Sequence, residues 1–244
     1  MWTPTALSSE ARPASGSAWR VVEDQHTSSS RKLVDSIDEH DVLEEILEEN
    51  KPGYLPGTEK LHYLLKTPFR YKPLKKHGSR FRRPMEKTGV FYCSKKIRTA
   101  LAEYSYHRLK FFRDSPETIL PEHEEALTVF TITFSADHCL NVMEPNLNND
   151  AARWLSNDYA STQELALSAR KAGIKLITYQ SCRDTQPGIN HAILEPSAFK
   201  SKNPTSQQTW FLYLDKTEVN CRRSHSASKS ERFVFTHAEF DFDR

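Results

Sequence analysis

The chain has only seven glycines in 244 residues, and none sits in a GxGxxG fingerprint or a Walker phosphate loop. This argues against a Rossmann or P-loop nucleotide site, since both need glycine where backbone approaches phosphate. Cysteine is scarce as well. Cys93, Cys139, Cys182 and Cys221 lie far apart with no CxxC pair, which argues for free thiols in a reducing compartment and against a zinc site. HExxH is absent and the ten histidines are scattered, so no metal is expected. No nucleophile elbow of the GxSxG kind appears. No apolar run is long enough to span a bilayer, and Met1 to Ser30 lacks the basic-then-apolar layout of a secretory signal. A cytoplasmic location without a membrane partner is expected.

What the chain does have is charge in blocks. Eight acids and no Lys or Arg lie between Asp35 and Glu49, whereas nine Lys/Arg and no acid lie between Lys60 and Met85. Such blocks bear on partners and solubility rather than on fold. Tyr63, Phe69, Tyr71 and Phe81 interleave the basic block. One reading of residues 60–85 is thus a non-enzymatic nucleic-acid strip that grips phosphates and stacks on bases. The net charge of +2 ranks it low.

Residues 1–30, rich in Ser, Pro, Ala and Thr, read as a flexible arm. Leu33, Val34, Ile37, Val42, Leu43, Ile46 and Leu47 recur at helical spacing and predict a helix ending near Asn50. Residues 31–54 are then a helical extension ahead of one domain over 55–244. A short helix capped by Thr58 is expected over Glu59–Leu65. Thr88–Ser94 reads as a strand, and Lys96–Arg113 as an amphipathic helix whose stripe carries Ala100, Tyr104, His107 and Phe111. Leu127–Phe134 alternates like a strand. Ser161-Thr-Gln-Glu164 has the capping-box pattern and opens a helix stopped by Gly173. Ile174–Tyr179, His191–Leu194, Trp210–Leu214 and Arg232–Phe235 are further strand candidates. The aromatic, acidic stretch from Phe233 to Arg244 fits an edge strand or an interface. Without regular βαβ alternation, the class is α+β.

Three motifs fall in order along the chain: GSRF (Gly78–Phe81), GVFY (Gly89–Tyr92) and TALAE (Thr99–Glu103). They resemble the Gly-Gly-Arg-aromatic motif, the Tyr-ended strand and the Ala-Leu-x-Glu helix start of the RES-domain family. LLKTPFRY (Leu64–Tyr71) is similar to that family's opening strand, and STQELALSARKAGIKLITYQSCRD (Ser161–Asp184) to its helix, strand and strand-end Ser. The resemblance covers residues 55 to about 200. Ser79 stands where the family has its second glycine, and Arg82 where it has Asn.

The resemblance implies an ADP-ribosyltransferase-like core of small mixed or antiparallel sheets flanked by helices. It also implies a toxin that consumes NAD+ as substrate by phosphorolysis or hydrolysis, held by an Xre-type helix-turn-helix antitoxin. Nucleic acid would be met only through that antitoxin, and a homodimer is compatible. Breaking the nicotinamide–ribose bond creates an oxocarbenium-like sugar that needs a nearby negative charge. The role implied for Glu103 is that charge. Arg80 is implied to hold the pyrophosphate as a planar fork, with Arg70 or Arg82 as helpers; Arg80 is favoured over Arg82 because it directly follows the Gly–Ser pair. Tyr92 is implied to stack on nicotinamide, and Ser181 to bond the amide or a ribose hydroxyl. Stripped of the resemblance, Glu103 reads as a solvated helix residue, Tyr92 as core, Ser181 as a turn residue and Arg80 as a surface base. A mono-ADP-ribosyltransferase acting on a protein is the alternative within the same chemistry. Either the acidic helix or the basic block could dock the antitoxin.

Overall fold

The computed structural model describes residues 2–24, 33–71, 78–224, 231–240 and 242. Seven helices and eight strands occur among them. The helices are α1 (Pro4–Glu10), α2 (Ile37–Glu49), α3 (Tyr63–Arg70), α4 (Ile97–Asp114), α5 (Pro145–Asn148), α6 (Ala151–Leu155) and α7 (Ala160–Lys171). The strands are β1 (Arg12–Glu23), β2 (Phe91–Ser94), β3 (Glu125–Asn141), β4 (Leu176–Gln180), β5 (Ile189–Ile193), β6 (Ser206–Leu214), β7 (Glu218–Arg223) and β8 (Arg232–Thr236). The class is α+β. No helix among the described residues is long and apolar enough to cross a membrane.

All eight strands form one sheet in the order β1-β2-β5-β4-β3-β6-β7-β8, and β1 pairs with β3 as well. That second pairing bends five strands into a closed ring. Strand β3 makes this possible by its length. One edge pairs with β1 from Arg12↔Cys139 to Glu23↔Leu127. Its other edge takes β6 beside Glu125–Thr131 and, in the one parallel pairing among the described residues, β4 beside Cys139–Asn141. The ring is shut by a single pair, Trp19↔Ser94, between β1 and β2.

Burial follows the alternation of side chains along β3. Phe130, Ile132 and Phe134 join Ala18, Phe91, Leu176 and Ile193 in one cluster, to which every ring strand contributes. Leu127 and Val129 meet Trp210, Leu212 and the α4 residues Leu101, Ala102, Tyr106 and Leu109 in another. Each large apolar side chain so buried stabilises the fold by roughly 1.5–3 kcal/mol. Helix α4 is thereby clamped between the ring and the β6–β8 extension.

Several expectations need correction. Residues 4–23, read as part of a flexible arm, form α1 and the central strand β1; positions 25–30 lie outside the described residues. The long-range ladder with β3 overrides a Ser/Pro-rich local composition. LLKTPFRY, expected as a strand, is helical: Leu64, Leu65 and Phe69 are buried on one face of α3, and Pro68 is carried within it. The short helix capped by Thr58 is absent; α3 starts later, at Tyr63, capped by His62, whose Nδ1 accepts from the Leu64 N–H at 3.3 Å. Ser161–Glu164 makes no capping box, because the α7 cap falls two residues earlier, at Tyr159, and Glu164 pairs with Arg83. A capping box does form at α2, between Ser36 and Glu39. Strand β7 carried no recognised signal, and β8 is an edge strand. Gly173, at φ 71°, ends the α7 segment as expected. Cys93, Cys139 and Cys221 are buried free thiols.

Candidate active site

The GSRF motif builds a tight turn. Ser79 N–H donates to the Arg82 carbonyl at 2.8 Å, and Arg82 N–H returns to Ser79 at 3.0 Å. Gln163 of α7 braces the turn by donating to both carbonyls, at 3.1 and 3.2 Å. Gly78 is required there. A Cβ on it would come within 2.7 Å of both the Arg82 carbonyl oxygen and the Gln163 amide. Tyr92 ties the turn to β2: its hydroxyl accepts from the Phe81 N–H at 3.0 Å and pairs with the Ser79 hydroxyl at 2.8 Å. Ser79, in place of the family's glycine, thus supplies a bond that glycine cannot. Burial pushes the Tyr92 phenol above its ordinary pKa.

This turn aims Arg80 into a cavity of about 300 Å³, which Tyr92 and Glu103 also line. Arg80 is buried; its Nη1 donates to the carbonyls of Trp154 and, at 3.0 Å, Ser156, and its guanidinium lies 4.9 Å from the Tyr159 ring centre. Glu103 projects from α4. Its Oε1 accepts two hydrogen bonds, from the Ser181 hydroxyl at 2.7 Å and the Asn190 amide at 2.6 Å. Asn190 is held in turn by the Ser94 hydroxyl at 2.6 Å, across the β2–β5 register. Ser181 accepts from the N–H groups of Arg183 and Asp184, both at 3.1 Å. Asp184 pairs with Arg98 and accepts from Thr99 at 2.7 Å, fastening this loop to the start of α4.

The proposed residues therefore divide. Glu103, Arg80 and Tyr92 share one cavity. Ser181 is buried behind Glu103 and orients it. Arg82 turns away, donating to the Tyr71 and Glu86 carbonyls. Arg70 pairs with Glu48 at 2.8 Å and lies 4.1 Å over the Tyr54 ring. Neither Arg70 nor Arg82 lines the cavity. In the basic block, Phe69 and Phe81 are buried core residues, unable to stack on bases; Lys72, Lys75 and Lys76 lie outside the described residues.

Four wall residues escaped the sequence reading as site residues. Arg20 of β1 lines the cavity, donates to the Tyr92 carbonyl at 2.7 Å and lies 4.5 Å over the Phe91 ring. Its Nε is buried without a hydrogen-bond partner among the described residues, and burial pulls its pKa down to about 10. Arg183 sits with its guanidinium 3.7 Å from the Tyr106 ring centre. Asn190 and His107 complete the set. His107 alone carried a signal, since it follows Glu103 by four residues on the same helical stripe.

Among solved structures, a chain of the M. tuberculosis MbcT–MbcA toxin–antitoxin complex aligns with a TM-score of 0.47 and 10% sequence identity, covering 84% of this chain and 89% of that one. A search of curated proteins finds no match. The RES domain family model matches residues 55–215, a span that holds the GSRF turn, Tyr92, Glu103, Ser181 and Asn190. By that match the chain belongs to the RES-domain family.

Proposed function

We propose that this protein is an enzyme that breaks the nicotinamide–ribose bond of NAD+, and that it acts as a toxin neutralised by an Xre-type helix-turn-helix antitoxin. Family membership supports the class of activity. The observation that carries the chemistry is the meeting of one oriented carboxylate, Glu103, with the guanidinium groups of Arg20, Arg80 and Arg183 around a single cavity. A dinucleotide needs both signs. The pyrophosphate calls for forked cations, and the ribosyl cation that forms as nicotinamide leaves calls for a fixed anion in a site of low dielectric. With Oε1 occupied by Ser181 and Asn190, Glu103 has its other oxygen to turn toward the ribose. Tyr92 offers an aromatic face beside it.

The ADP-ribosyltransferase-like character of the core belongs to the same proposal: the five-strand ring and the cavity at its seam are consistent with it. The test is to incubate the purified chain with NAD+, with and without phosphate, and follow nicotinamide release. Release is expected, and NAD+ left intact under both conditions refutes the enzyme. Labelled ADP-ribose left on a macromolecule, not free in solution, would redirect the reading to protein modification.

A further inference from the structure

We infer that His107 is the general base that activates water as the ribosyl acceptor, an assignment that rests on the NAD+-cleaving reading above. The cavity has one wall formed by α4, where Glu103 and His107 follow each other by one helical turn. Glu103 cannot serve both purposes. A carboxylate that took the proton of the attacking water would lose the negative charge that the ribosyl cation requires.

The other titratable wall residues fail as bases. Arg20, Arg80 and Arg183 are cations with no lone pair to offer. Burial raises the phenols of Tyr92, Tyr104 and Tyr179, and the Cys93 thiol is pushed up to about 12, so all four keep their protons near neutral pH. Tyr159 spends its face on Arg80. His107 remains. The residue is exposed on the cavity side, yet the protein packed around the ring desolvates its charged form and, with Arg183, Arg80 and Lys110 adding to the effect and Glu103 opposing it, lowers its pKa below the usual value. It is therefore neutral and able to accept a proton near pH 7.

The step balances without further reagents. Water oxygen bonds to the ribose C1′ while the C1′–N bond breaks and its electron pair goes to nicotinamide. The water proton passes to a ring nitrogen of His107, which releases it to solvent after the products ADP-ribose and neutral nicotinamide have formed.

The full chain, His107→Ala and His107→Gln would be compared for nicotinamide release from NAD+ in phosphate-free buffer, between about pH 5 and about pH 9. Wild-type activity should hold near neutral pH and fall as pH drops below the ordinary imidazole range, because the His107 pKa is lowered. Both variants should be slower by about 10²-fold or more and lose that acidic limb. Sodium azide, an anion that attacks without giving up a proton, should restore release in His107→Ala and yield an ADP-ribosyl azide. Hydrolysis by His107→Ala within about threefold of wild type, or a slow variant that azide leaves slow, overturns the assignment. Circular dichroism checks that both variants are folded. Wild-type protein that spares NAD+ both with and without phosphate sinks the underlying reading; wild type active only with phosphate, or matched by His107→Ala, sinks the base alone.

Discussion

Two walls of the same cavity are built in opposite ways. On the α4 side, Glu103 is held by Ser181 and Asn190, and each of these is held again by Ser94 or by backbone N–H groups. On the β1 side, among the described residues, Arg20 has one hydrogen bond to a backbone carbonyl, a ring beneath it, and a buried Nε with no partner. A satisfied network fixes a charge in place and resists change. A guanidinium with a donor to spare is in a state that an anion improves. On the NAD+-cleaving reading proposed above, the difference teaches that one wall would be arranged before substrate arrives, whereas the other would be completed by it.

Substitutions can break or sharpen that contrast. The largest effect is expected from Glu103→Gln. The amide oxygen can still accept from Ser181 and Asn190, so thermal unfolding should hold while NAD+ cleavage falls on the order of 10³-fold. Next comes Arg20→Ala, which should lower kcat/KM for NAD+ by about 10- to 100-fold with only a small loss of stability. Arg80→Ala tests the contrast from the other side. It strips the Trp154 and Ser156 carbonyls of a buried donor and should cost about 2 kcal/mol in urea unfolding as well as activity. Were Arg20→Ala the more destabilising of the two, the division between a finished wall and a waiting wall would be wrong. Asn190→Ala should slow turnover about tenfold with little change in KM, since it frees Glu103 to swing, and should cost some stability by leaving the buried Ser94 hydroxyl without its acceptor. Smallest is Tyr92→Phe, which keeps the ring but releases the Ser79–Phe81 turn, for about 1 kcal/mol in Tm-based stability.

These walls were also unequally legible. Glu103 and His107 sit on an amphipathic helix whose period is visible within a few residues, and Arg80 and Tyr92 lie in short local motifs. The α+β class and most of the strands could be read the same way. Arg20 could not, although Ala18, Trp19, Val21 and Val22 around it have the makings of a strand. What makes β1 a central strand is β3, more than a hundred residues away, and nothing local reports that. Asn190 reads as a polar interruption in a short strand until its partner, 87 positions earlier, is known. LLKTPFRY misled for the converse reason: which face of it is buried depends on the ring it packs against.

The ring closes through one residue pair, Trp19↔Ser94, whereas the β1–β3 ladder runs from Arg12 to Glu23. Both members of that pair line the cavity. Splaying this join breaks fewer backbone hydrogen bonds than parting β1 from β3, so thermal breathing is directed there and the pocket can widen while the barrel keeps its shape. A bound dinucleotide spanning β1 and β2 would act as a staple across the gap, and amide protons of Trp19 and Ser94 should exchange more slowly in its presence.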